Sequence, residues 1–189
     1  MKAKKVETVK ETLKRVEEIQ KKNEAFLPLL LPNTPVLVRG IIEGIELLDE
    51  ESQNKVFRHL GAVCSRLTRE QRIEKGAPVP TSPMPLDEMP ERIKKIALSD
   101  MQREWNSTKD GNTIIVNDGL CKTFGCCCRL VLAGYIDPSE NMCKKCQAGY
   151  YEEYMTHMSG QKPIKIETTG FTCGSEFCTG KATFAPTKK

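Results

Sequence analysis

Histidine and tryptophan, two of the residues most often found in recognition and catalysis, are scarce here: the chain has two histidines and one tryptophan in 189 residues. It contains no Ser-His-Asp arrangement and no glycine-rich phosphate loop. A dominant charge is also missing. Twenty-nine Lys and Arg stand against 25 Asp and Glu, for a net charge of +4, and the two signs alternate along most of the chain. With few aromatics and no extended basic face, nothing supports nucleic-acid binding. No apolar run approaches the ~20 residues that a membrane-spanning helix needs; Phe26–Leu31 is broken by Pro28. The N-terminal MKAKKVETVKE has charges but no apolar stretch behind it, so a secretory signal is not expected. The expected compartment is therefore the reducing cytoplasm, where thiols persist.

Cysteine is what the chain has in plenty. There are nine, and all but Cys64 follow residue 120. In a reducing compartment such a number favours metal ligation over disulfides. The late thiols form three groups: Cys121 with Cys126, Cys127 and Cys128; Cys143 with Cys146; and Cys173 with Cys178. C-x-x-C at a helix start puts both sulfurs on one side, where unpaired N–H groups and the helix dipole favour thiolates. Zn²⁺ takes about four such ligands, and a glycine-containing turn at 173–178 can supply the second pair. Cys143, Cys146, Cys173 and Cys178 are thus the expected ligand set. Cys126, Cys127 and Cys128 alternate in direction on a strand, so Cys127 points away from the other two. Cys121, Cys126 and Cys128 are left to a second metal, an iron–sulfur cluster, the first site, or the core. A redox role for Cys143/Cys146 competes with metal ligation but leaves Cys173/Cys178 without a purpose.

Two compositional halves are evident. In the first, Val6, Val9, Leu13, Val16 and Ile19 predict an amphipathic helix over about 3–24, through which a homodimer could form. A second helix, about 35–49, should bury Leu37, Val38, Ile41, Ile45 and Leu48. A third, about 51–68, should turn Val56, Leu60, Val63 and Leu67 inward, with Cys64 a small core thiol beside them. His59 lies about 140° around that helix from Cys64, so the two are not a ligand pair. Residues 76–90 hold five prolines and read as a linker or an extended lid. A helix capped by Asp87 should follow, with Ile93, Ile96, Ala97, Met101 and Trp105 on one face, ended by the turn residues KDGN.

The second half reads as a strand at TIIV and another across CCCRLVLAGY. A helix over 141–158 follows, then strands in PIKIETTGF and GKATF. The expected class is α+β, an N-terminal helical segment followed by a small antiparallel sheet with one long helix in the order β-β-α-β-β. The division is a helical region 1–75, a linker 76–90 and a cysteine-rich domain 91–189, packed as one unit. His157 should be solvated, and Tyr150, Tyr151 and Tyr154 should be packing residues.

The stretch CKKCQAGYYEEYMTHMSGQKPIKIETTGFTCGSEFCTGKATF resembles the C-terminal part of the 4-vinyl reductase domain family and of the family named for 2-aminothiazoline-4-carboxylate hydrolase. The matching residues are Cys143, Cys146, Gly149, Glu167, Thr168, Cys173, Gly174, Cys178 and Phe184, with a looser match from Ile114 through Cys121. The resemblance implies an α+β domain, often dimeric, that holds zinc through cysteines and a glutamate, here Glu167, and binds a small hydrophobic molecule. Its hydrolase side implies a sulfur- or nitrogen-containing substrate attacked by metal-bound water or by a thiolate, for which Cys121, in a loop after a strand, is the candidate. An iron–sulfur redox protein is the remaining alternative.

Overall fold

A computed structural model describes residues 34–101, 105–118, 140–169 and 178–186. Helices α1 (Thr34–Glu46), α2 (Glu50–Glu74) and α3 (Met89–Met101) precede strands β1 (Trp105–Asp110) and β2 (Thr113–Asp118). Helix α4 (Glu140–Ser159) and strands β3 (Lys165–Thr168) and β4 (Cys178–Thr183) complete the fold. The class is α+β. The strands form one antiparallel sheet in the order β1-β2-β4-β3. On its inner face Ile114, Val116 and Ala182 meet Ile93 and Ile96 of α3 and Tyr151, Met155 and Met158 of α4. Lys181 on β4 and Glu167 on β3 face the other way, as the two-residue period of a strand requires.

Local chemistry sets the element ends. Asp49 caps α2: its carboxylate accepts from the Ser52 N–H at 2.9 Å and from the Ser52 hydroxyl at 2.6 Å. Those hydrogen bonds hold the Asp49 carboxyl below its ordinary range. Gly111, with φ of 54°, turns β1 back into β2 so that Asp110 pairs with Thr113. Trp105–Asp110 therefore starts a hairpin. It was expected to end a helix, because WNSTKD has little of the β-branched character that marks a strand. Asp87 does not cap α3; it pairs with Lys109 Nζ at 2.8 Å.

Helix α4 is covered on two sides. One side lies on the sheet, and α2 runs along the other. Contacts rise together along both helices, from Gln53–Asn141 through Arg58–Glu152 to Arg69–Glu153, so α2 and α4 are parallel. They approach until backbone meets backbone. A Cβ on Gly61 would stand 1.8 Å from the Cys146 carbonyl oxygen, and one on Gly149 would stand 1.9 Å from that of Arg58.

This contact decides which way α2 faces. Its buried stripe is Gln53, Phe57, Gly61, Ser65, Thr68 and Arg72, mostly small or polar residues that admit a close neighbour. The expected inward stripe is on another side, with Leu60 41% and Leu67 36% exposed. Cys64 is exposed as well and is no core thiol. On α1, Val38 and Ile45 pack inward with Ile42. Leu37, Ile41 and Leu48 were expected to do so and are exposed, because a single short side of α1 meets the Phe57/Met142 cluster.

The proline-rich segment is neither a linker nor a lid. Val79, Met84 and Leu86 pack on the core, the Met84 N–H donates to the Met158 carbonyl at 2.9 Å, and His157 Nε2 donates to the Pro80 carbonyl at 3.1 Å. His157 is thus half-buried rather than solvated. Its burial, helped by the Arg69 charge, holds its pKa below the ordinary imidazole value.

Alanine normally stabilises a helix by about 1 kcal/mol relative to glycine. At Gly61 and Gly149 the sign is reversed, because the added methyl meets backbone carbonyls that cannot step aside. Gly61→Ala and Gly149→Ala should each destabilise the chain by about 2 kcal/mol or more, read as a lower urea midpoint; a raised midpoint would refute the close contact.

Candidate thiol site

Cys143 and Cys146 occupy the first turns of α4, one turn apart and half-buried. They pack against Phe57 and Met142 under the apolar side of α1. This corner is pinned by Gln53, which is 8% exposed. Its Nε2 donates to the Glu46 carbonyl at 2.9 Å and the Leu48 carbonyl at 2.8 Å. Its Oε1 accepts from Asn141 Nδ2 at 2.9 Å and Lys145 Nζ at 3.1 Å. One side chain thus joins the α1–α2 turn to the start of α4 and uses all four of its hydrogen-bonding positions.

Cys178, expected in a turn, is the first residue of β4 and is 2% exposed. It alternates with Gly180 and Ala182 on the helix-facing side of the strand. Gly180 lies directly under the Tyr151 ring, 2.3 Å from where its Cβ would be, so α4 sits low on the sheet here. The end of β3 is tied to the same helix. The Thr168 hydroxyl donates to the Lys144 carbonyl at 3.0 Å, and Thr168 is paired with Gly180. Thr169 and Thr179 exchange two further hydrogen bonds of 3.0 Å each. Cys143, Cys146 and Cys178 therefore lie at one end of the fold.

Glu167 is not brought there. It lies on the opposite face of β3, half-exposed and paired with Lys165 Nζ at 2.9 Å. The hydrogen bond and charge of Lys165 hold its carboxyl below the ordinary range. Cys121, Cys126, Cys127, Cys128 and Cys173 lie outside the described residues. Among the described residues, no group of three or more His, Cys, Asp or Glu side chains is placed to hold a metal ion.

Two features of the corner had no signal in the sequence pattern. One is Gln53, which reads as an ordinary polar residue on a charged helix. The other is Gln147, next to Cys146, whose Oε1 is buried with no hydrogen-bond partner among the described residues. Tyr150 and Tyr154 stack one and two turns further along α4, with ring centroids 6.2 Å apart at 20°. Tyr151 and Tyr154 are buried in the core, as expected of packing residues, and burial raises the Tyr154 phenol well above its ordinary pKa.

A groove of about 400 Å³ opens between α2 and α4, lined by Arg58, His59, Gly149, Glu152, Thr156 and Lys162. Burial pushes the Glu152 carboxyl up, but donation from Lys162 and Arg58 outweighs it and leaves the group below the usual carboxylate range. Around the sheet, by contrast, the helix-facing side is filled by the core.

No protein-family model matches the chain, and no curated protein matches it.

A buried acceptor without a donor costs about 1–3 kcal/mol. Gln147→Met keeps the side-chain length and removes that acceptor, so it should raise stability by about 1 kcal/mol in urea unfolding. A lower midpoint would show that the Gln147 amide is satisfied after all.

Proposed function

We propose that the protein is a cysteine-rich metal-binding module, with zinc as the ion and a small molecule as its ligand. The observation that supports this most is the Thr168–Lys144 hydrogen bond. It draws the end of the sheet that begins with Cys178 to the turn of α4 that carries Cys143 and Cys146. Chain connectivity adds the rest of the argument. Residues 119–139, with four cysteines, join Asp118 to Glu140; residues 170–177, with Cys173, join Thr169 to Cys178. Asp118 and Cys178 are partners in the β2–β4 ladder, so both segments start and finish at the thiol end.

The donor chemistry fits a soft divalent ion. Thiolates select zinc over hard cations, and four of them close a tetrahedral structural site. Cys143, Cys146 and Cys178 would be joined by Cys173 in that role. Glu167 is not included, since its face of the sheet is the wrong one. Such a metal would supply folding free energy, holding the β3–β4 end against α4.

For the small-molecule ligand, Gln147 Oε1 is an acceptor awaiting an N–H or O–H. The half-buried Tyr150 ring on the same helix offers an apolar wall. A small nitrogen-containing molecule with a hydrophobic body suits that combination.

Elemental analysis of protein purified without oxygen tests the proposal. Zinc in stoichiometric amount is the expected result, with loss of zinc in Cys143→Ser and Cys146→Ser. Iron with sulfide, or zinc content unaffected by either substitution, would overturn it.

A further inference from the structure

Helix α1 is apolar on two sides. Val38, Ile42 and Ile45 lie on the Phe57/Met142 cluster. On the other side Val36, Leu37 and Ile41 are 71%, 65% and 53% exposed, and Leu47 and Leu48 of the following turn are 88% and 44% exposed. These are five of the ten exposed large apolar side chains among the described residues, so they form a patch rather than scattered singles. Gly40 and Gly44 lie within it, exposed as well, and a Cβ on either would meet no described atom within 4 Å. The helical members of the patch span about 140° of α1. A contiguous apolar patch of this kind marks a protein contact. We propose that it seats a second copy of this chain, bound α1 to α1 in an antiparallel two-fold pair. The inference involves no cysteine and goes beyond the metal reading. Residues 3–24, through which a homodimer was expected, lie outside the described residues.

Three features favour a second copy. The patch reads the same in both directions about Ile42. In an antiparallel pair Val36 comes opposite Leu48 of the second copy, Leu37 opposite Leu47, and Gly40 opposite Gly44, so one surface complements itself. The glycines at the crossing let two backbones approach, as Gly61 and Gly149 do between α2 and α4. Charge agrees with this direction. Arg39, Glu43 and Glu46 are exposed along one edge of the patch, and antiparallel pairing sets Arg39 beside Glu46 of the second copy, twice over. A parallel pair would bring that charged edge against Ile41 instead. The area is also sufficient. The exposed apolar side chains amount to about 500 Å² per copy, roughly 1,000 Å² in the pair, which reaches the lower bound of a specific interface.

Sedimentation equilibrium of the full-length protein over roughly 1–100 μM tests this. The expected result is a reversible monomer–dimer equilibrium within that range. Leu37→Lys and Leu47→Glu replace exposed residues off the Phe57/Met142 cluster, so circular dichroism should show both variants folded. Each should weaken the dimer about tenfold or more. The double variant should dimerise more tightly than either single one, because the antiparallel pair sets the new lysine against the new glutamate. A chain that stays monomeric throughout would overturn the proposal and leave the patch to another partner. A dimer indifferent to both single variants would overturn it by placing the interface elsewhere. A double variant weaker than both single ones would overturn the antiparallel pairing.

Discussion

The contact between the backbones of α2 and α4 governs this structure. Gly61 and Gly149 bring each helix within reach of the other's carbonyl oxygens, a separation that no larger residue permits. Once the helices meet there, the rotation of α2 is fixed. Gln53, Phe57, Ser65, Thr68 and Arg72 must face inward along with Gly61, whatever the hydropathy of the other stripe. Flanking ion pairs from Arg58, Arg66 and Arg69 to Glu152 and Glu153 add little stability at their exposure. Their consistent stagger suits two helices running in the same direction.

From this contact the arrangement of the thiol end follows. Helix α4 is held between α2 and the sheet, and the Tyr151 ring over Gly180 sets its height above β4. The Thr168 hydrogen bond sets its position along β3. Gln53 then closes the corner from the other side by joining the α1–α2 turn to Asn141 and Lys145. Each of these constraints lies within two turns of Cys143 or Cys146, or within two residues of Cys178. The thiols thus lie at an end of α4 that is held from both the α1–α2 turn and the sheet.

Periodicity made the long elements legible. The helix expected over 141–158 is α4 to within a residue at each end, TIIV lies within β2, and KIET within PIKIETTGF is β3. GKATF overlaps β4, although that strand starts earlier and includes Cys178. Periodicity failed where tertiary contact overrides it. Nothing in the hydropathy of α2 announces that two glycines will choose its buried face. The WNSTKD strand is stabilised by its hairpin partner rather than by its own composition. The prolines of 76–90 broke regular structure as expected, yet Met84 and His157 bind that segment to the end of α4. At the candidate site the C-x-x-C pair was readable as residues i and i+3 of a helix start. Gln53, Gln147 and the Thr168 clasp were not, because each depends on a neighbour distant in sequence. Strand parity, too, was visible only in the fold: Glu167 and Thr168 are adjacent, and Thr168 is the one that faces α4.

The central claim is that β4 and α4 serve one metal. Cobalt(II) in place of zinc reports it directly, since sulfur-to-cobalt charge-transfer absorption grows with the number of bound thiolates. The full-length protein should show that absorption together with the intense visible bands of a tetrahedral site. Cys178→Ser should weaken both, and so should Cys143→Ser. A spectrum that depends on Cys143 and is indifferent to Cys178 would contradict the account.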